Sequence, residues 1–220
     1  MIPGPDQIIS CPHCKGLAKF ATLTSGNTFG SIFWSDGKKF SPMLPQLPAI
    51  VICQHCEKGY WLADAEKVGT VELWGAKDQK VNPEWNDAEE VEEPTEDEYY
   101  SAIEANLAKD QQQEKLLRIL AWWRRNDAFR DVRRTPGKVM IPASGACRHN
   151  MEALLKLIGQ DKDEDRIMKV EILRELGQFD AAKEVLDSVV SEKFAAVVRQ
   201  ILLLCASEDT RVSELQIRTK

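Results

Sequence analysis

Cys11-Pro12-His13-Cys14 is answered, 38 residues after Cys14, by Cys53-Gln54-His55-Cys56. Two residues between cysteines let both sulfurs of one tight turn face a single ion, and two such turns supply the four soft ligands that zinc takes at tetrahedral corners. The spacing predicts one structural zinc ion held by Cys11, Cys14, Cys53 and Cys56. A catalytic zinc keeps an open position, which four thiolates do not leave. A redox pair at Cys11 and Cys14 would need a βαβ setting, and none surrounds them. His13 and His55 each stand just before the second cysteine of a pair, where a side chain generally points to solvent. His149 and Cys147, two apart, fall on different faces of a helix, so no second metal site is expected there. With three histidines, none beside an evident nucleophile, and with no glycine-rich phosphate loop and no H-E-x-x-H, the chain is not expected to be an enzyme.

The second chemical signal is a run of five arginines within eleven residues, Arg124, Arg125, Arg130, Arg133 and Arg134, with Phe129 among them. Arginine beside aromatic rings grips phosphates and bases, which makes nucleic-acid binding the alternative function. The commoner fate of such a run is a solvated helix end, favoured by the C-terminal dipole, or pairing with nearby acids.

The elements that would position the cysteines are short strands. Gly16 and Gly59 follow the two pairs and can supply a left-handed turn. Ala18 to Thr24 alternates, Ser25-Gly26-Asn27 is a turn, Phe29 to Ser35 is rich in aromatic and β-branched residues, and Asp36-Gly37 signals a two-residue hairpin. Pro42-Met43-Leu44-Pro45-Gln46-Leu47-Pro48 cannot be a central strand, because three prolines remove donors, so it must be a loop leading to a strand over 49–53. Another strand is expected at Tyr60-Trp61-Leu62, a helical turn over 63–68 and a strand around 70–74. So small a sheet cannot hold itself together by burial, and the metal supplies the folding free energy, about 10 kcal/mol or more for structural zinc in small peptides.

Thr24-Ser25-Gly26-Asn27-Thr28-Phe29-Gly30, Ser35-Asp36-Gly37-Lys38, Pro42-Met43-Leu44-Pro45 and Pro48 before the second C-x-x-C resemble a set of uncharacterised bacterial zinc-ribbon proteins that join such a module to helical repeats. The resemblance covers roughly the first 70 residues. It implies a metal-binding bacterial protein with the four cysteines as ligands, and it brings no activity.

Between Glu84 and Glu98 stand nine acidic residues and no basic one, whereas residues 1–82 carry eight Lys against seven Asp or Glu. Dense like charge cannot collapse, so 83–98 reads as a solvated linker, with Trp85 docked on a neighbouring edge or exposed as an anchor. Beyond it the pattern is helical. Thr95 to Glu98 is a capping box, Asp110 can cap a second helix, and Leu116 to Trp123 forms a stripe broad enough for a buried helix. Thr135-Pro136-Gly137 breaks it, and 139–144 is irregular or briefly extended. Helices are then expected over about 146–158, from after Asp161 with Glu164 completing a box, over 180–190 and over 192–205, with the tail from Ser207 a last helix or disorder. Leu176-Gly177-Gln178-Phe179-Asp180-Ala181-Ala182 resembles the turn between the two helices of a tetratricopeptide repeat.

The expected fold class is therefore α+β: a small N-terminal β zinc ribbon (1–82), an acidic linker (83–98) and an all-α helical-repeat, tetratricopeptide-like domain (99–220). A chain 43% hydrophobic and 29% charged is ordinary for a globular protein, and no run is long and apolar enough for a membrane span. Four paired and two isolated cysteines suit a reducing compartment, which places the protein in the cytoplasm. The expected function is a non-enzymatic adaptor or scaffold binding a protein or peptide partner, since helix-pair arrays leave grooves that bind peptides.

Overall fold

The computed structural model describes residues 1–72, 82–130, 143 and 145–216. In chain order the strands are β1 (Ile2–Ser10), β2 (Leu17–Ser25), β3 (Ile32–Trp34), β4 (Lys39–Phe40), β5 (Ile50–Ile52), β6 (Gly59–Trp61), β7 (Glu66–Val71), β8 (Glu89–Glu90) and β9 (Glu214–Leu215). The helices are α1 (Pro83–Asn86), α2 (Glu96–Glu104), α3 (Gln111–Arg130), α4 (Gly145–Leu157), α5 (Asp163–Glu175), α6 (Phe179–Leu186) and α7 (Ala195–Ala206). The chain is thus mixed α+β, and it divides into two compact units. Unit 1 is Met1–Ser31 with Ser41–Leu107; unit 2 is Ile32–Phe40 with Ala108–Lys220. Where the sequence suggests breaks at 82 and 98, the chain changes units at 31, 40 and 107. No helix among the described residues is long and apolar enough to cross a membrane.

Unit 1 is built on a four-stranded sheet of order β7-β1-β2-β8 and a separate hairpin, β5-β6. The first strand has no counterpart among the elements expected from the sequence, and it holds Pro3 and Pro5. The pairing of β1 with β2 accommodates them by slipping register between Ile2 and Pro3 and again between Pro3 and Asp6, as bulges do for residues that cannot donate. After the bulge the register is regular, and Ile8 and Ile9 are fully buried.

The acidic stretch is part of this unit and not a free connector. Asn82 caps α1, accepting from the Glu84 amide at 3.2 Å. The outer edge of the Trp85 ring lies against Gly69 of β7, so close that a Cβ there would fall 2.2 Å from the ring; this is the docked alternative for Trp85. Glu89 and Glu90 form β8, parallel to Ala18 and Lys19 of β2, and Val91 N donates to Lys19 O at 2.9 Å. Ala88 is buried, while the two glutamates of β8 face water. Like charge had argued for extension; two backbone rungs and a buried alanine are sufficient to hold the segment while its carboxylates stay solvated. The Thr95–Glu98 capping box forms as expected, and α2 ends in a left-handed Asn106. With these residues included, unit 1 holds six Lys against sixteen Asp or Glu, a net charge of −10.

Unit 2 packs α5, α6 and α7 around Val170, Leu173, Ala182, Leu186, Ile201 and Cys205. Asp110 caps α3 as expected, accepting from the Gln113 amide at 2.8 Å. The cap expected before α5 differs: its N-cap is Lys162 without a side-chain bond, and Asp163 instead accepts from the Ser191 amide at 2.9 Å. Gly177, at φ +76°, closes α5 in a Schellman motif, with Gln178 N donating to Leu173 O at 2.8 Å and Gly177 N to Arg174 O at 2.9 Å. The tail is not a last helix: β9 pairs with β3, giving a three-stranded sheet β4-β3-β9.

The Asp36-Gly37 hairpin belongs to these helices and not to the cysteine module. Trp34 N bonds Lys38 O at 3.0 Å, so the loop has three residues, with Gly37 left-handed at φ +84°, where two were expected. The Asp36 side chain is fully buried: Arg130 grips both its oxygens, Asn126 Nδ2 donates to Oδ2 at 3.0 Å, and Trp123 Nε1 donates to the Asp36 carbonyl at 2.9 Å. Asn126 Nδ2 also donates to Glu175 Oε1 at 3.0 Å, and Trp122 Nε1 to Glu175 Oε2 at 2.7 Å. Of the paired tryptophans expected in the core, Trp122 is fully buried and Trp123 half-buried.

Candidate metal centre

Each C-x-x-C is the turn of a β-hairpin: Cys11 to Gly16 joins β1 to β2, and Cys53 to Lys58 joins β5 to β6. The two turns repeat one backbone pattern. Cys11 N donates to Gly16 O at 2.9 Å and Lys15 N to Cys11 O at 3.0 Å; Cys53 N donates to Lys58 O at 3.1 Å and Glu57 N to Cys53 O at 2.8 Å. The residue after the second cysteine is left-handed in both, Lys15 at φ +64° and Glu57 at φ +57°. Neither is glycine, so each costs about 1 kcal/mol of backbone strain, and the strain falls at the same place in both turns.

The turns bring four sulfurs together. Cys11 Sγ lies 3.9 Å from Cys56 Sγ, Cys14 Sγ lies 3.6 Å from Cys53 Sγ, and all four fall within 4.8 Å of one another. All are free thiols, and these distances are far beyond a disulfide bond. Four sulfurs at tetrahedral corners about 2.3 Å from an ion stand about 3.8 Å apart, and the two pairs bracket that value. The donor set and its spacing therefore fit a tetrahedral thiolate-bound metal ion with no ligand position left over. Cys11 and Cys53 are buried, Cys14 is exposed, and Val51 and Tyr60 pack beneath them.

Local amides prepare the sulfurs for negative charge. His13 N points at Cys11 Sγ and Gly16 N at Cys14 Sγ, both at 3.4 Å. The Gly16 amide holds the Cys14 thiol down at about 7. Burial pushes Cys53 the other way, to about 12, so a metal must displace a firmly held proton there. Tyr60 is likewise pushed up to about 12, by burial and then by the neighbouring sulfurs.

Gly16 has a different use from the one the sequence suggests. Its backbone is not left-handed; instead a Cβ on it would fall 2.2 Å from the His55 ring. His55 Nε2 reaches Leu17 O at 3.2 Å, so the histidine of the second turn lies across the backbone of the first. Both histidines are exposed, as expected, and His55 lies over Gly16 as well; the sequence signal for this contact is a glycine two residues after Cys14. His13 meets the edge of Tyr60, with ring centroids 6.5 Å apart. Neither histidine is among the four grouped ligands, and Cys147 points to Met151 sulfur at 3.8 Å.

Among the described residues, the arginines of the run do not share one exposed surface. Arg130, its side chain 10% exposed, lies between Asp36 and Asp127, donating to Asp127 Oδ1 from Nε at 2.7 Å. Arg125 is buried, with its guanidinium 5.9 Å from the Phe129 ring centroid. Arg124 is half-buried, 4.0 Å from Asp127. Arg133 and Arg134 lie outside the described residues, as do Trp74, the Thr135-Pro136-Gly137 break and most of 139–144.

Comparison of the chain with protein-family models, with curated proteins and with solved structures finds no match.

Proposed function

We propose that the chain is a non-enzymatic adaptor in which one zinc ion staples a ribbon of two β-hairpins, while the helical unit serves as a tetratricopeptide-like platform for a protein or peptide partner. The observation that carries the metal part is the closed set of four sulfurs at 3.6 to 3.9 Å within pairs, which gives a bound ion a structural place and leaves no position for a substrate. Zinc suits this set because it takes four thiolates without redox chemistry or geometric preference of its own. The α5–α6 hairpin with its glycine turn favours the repeat reading of the helices. Six cysteines, none in a disulfide, favour a reducing compartment and so the cytoplasm. The nucleic-acid alternative gains nothing from Arg130, whose charge is spent on Asp36 and Asp127.

The test has two arms. Purified chain is expected to carry one zinc, and removing it with a chelator should unfold the paired hairpins. Immobilised metal-loaded chain should also retain a protein from an extract of its own cells, in an interaction that survives nuclease treatment. Retention of nucleic acid instead, with affinity falling steeply as salt rises, would replace the adaptor reading.

A further inference from the structure

Residues 41–48 of unit 1 read Ser-Pro-Met-Leu-Pro-Gln-Leu-Pro, with a proline at every third position. Their start is anchored. Leu44 N donates to Ser41 O at 2.9 Å, Asn27 N donates to Met43 O at 3.2 Å, and the Ser31 and Ser41 hydroxyls meet at 2.7 Å. Past Leu44 the main chain makes no hydrogen bond through residue 48 among the described residues. Residues 42–47 are all exposed, with Leu44 at 39% and Leu47 at 47%.

Proline fixes φ near −65° and pushes the residue before it into the extended region. The fixed φ of Pro45 and Pro48 and the extended bias at Leu44 and Leu47 favour the polyproline II conformation, which repeats every three residues and has no internal hydrogen bonds. In that conformation Pro45 and Pro48 share one ridge and Leu44 and Leu47 the next. No charged residue occurs from Ser41 through Cys56, in a chain where 29% are charged. Recognition of such a segment uses no ion pair and rests on ring packing, apolar contact and its unbonded main-chain carbonyls, and its backbone loses little freedom on binding.

We propose that Pro42–Pro48 is a docking segment for a protein partner whose groove is lined by aromatic side chains and accepts a polyproline II ligand. It rests on the adaptor reading and names that partner's binding chemistry. A bilayer is the other surface that takes exposed leucine and methionine, but unit 1 carries a net charge of −10, which anionic lipid repels.

The test uses the full metal-loaded chain and a Pro45→Ala/Pro48→Ala variant that retains its metal and its far-UV spectrum. Partner captured by the wild-type chain should be released by a synthetic peptide of residues 41–49, at least ten-fold more efficiently than by the same peptide with both prolines replaced. The variant chain should capture at least ten-fold less. Titrating the purified partner with the peptide should shift its tryptophan or tyrosine fluorescence saturably. Equal release by the two peptides, or undiminished capture by the variant, would overturn the docking segment and leave the adaptor intact; a wild-type chain that captures nothing would remove both. Binding to phosphatidylserine vesicles that the double substitution abolishes would assign the segment to membranes and overturn the proposal.

Discussion

Asp36→Ala should destabilise unit 2 by about 3 kcal/mol, because it empties the centre of a buried network. Removing one partner of a buried pair costs about 3–5 kcal/mol when the other is left uncompensated. Here Arg130 keeps Asp127, bonded at 2.7 Å, which argues for the lower end. The Asp36 side chain is fully buried and that of Arg130 is 10% exposed, so solvent can relieve little of the loss. Asn126 also loses its acceptor on the hairpin, and the Lys38 amide loses Asp36 Oδ1 at 3.1 Å. The assay is urea unfolding followed by far-UV ellipticity at 222 nm, which α3 to α7 dominate, on metal-loaded protein. Arg130→Ala and the double variant complete a cycle, with a coupling energy of about 1 kcal/mol or more expected for residues in one network. A cost below about 1 kcal/mol for Asp36→Ala, the level of an exposed pair, or additive single effects, would refute the claim that this hairpin is anchored through its carboxylate.

Three further outcomes follow from single contacts. Glu175 is fully buried, and burial together with Glu171 and Asp36 holds its carboxyl well above the usual range. The folded state therefore keeps a proton that the unfolded chain gives up near 4.5, so this group subtracts stability as pH rises above that value, by up to about 1.4 kcal/mol per pH unit until the folded group ionises. Glu175→Gln should flatten the fall in stability as pH rises above 4.5; an unchanged slope would show that Glu175 ionises freely in the fold. Gly16→Ala forces the His55 ring off its seat and should weaken metal binding by about ten-fold, as loss of outer contacts to ligands does. His55→Ala in the same chain should recover most of that loss, measured by competition with a chromophoric chelator. Thr95→Ala removes half of the capping box at α2 and should cost about 1 kcal/mol in thermal unfolding, with metal content unchanged.

The four-cysteine cluster was legible because its signal is local. Each C-x-x-C is its own turn, and the four sulfurs converge wherever two such hairpins lie side by side. Helix signals were legible for the same reason, since the Thr95 box, the Asp110 cap and the Gly177 turn are each written within a few residues. What escaped depends on partners distant in sequence. The three-residue strand Ile32–Trp34 looked like a neighbour of the cysteine turns, yet its pairing partner Glu214–Leu215 and its anchor Arg130 lie far along the chain. Charge density made 83–98 look like a linker, because a two-residue rung on β2 has no compositional signature. β1 was not among the expected elements, and the bulge that accommodates its Pro3 and Pro5 shows only in the register. In the arginine run the residues suggested a binding surface, and only the burial of Asp36 shows where Arg130 is spent.

The staple itself is tested most directly by amide hydrogen exchange across residues 1–72, run on purified full chain of known metal content before and after chelation. The account predicts one zinc per chain, slow exchange in β1, β2, β5 and β6 while the metal is bound, and loss of that protection when it is removed or when Cys11 and Cys53 are both changed to serine. Metal-free chain with the same protection in these four strands would contradict it.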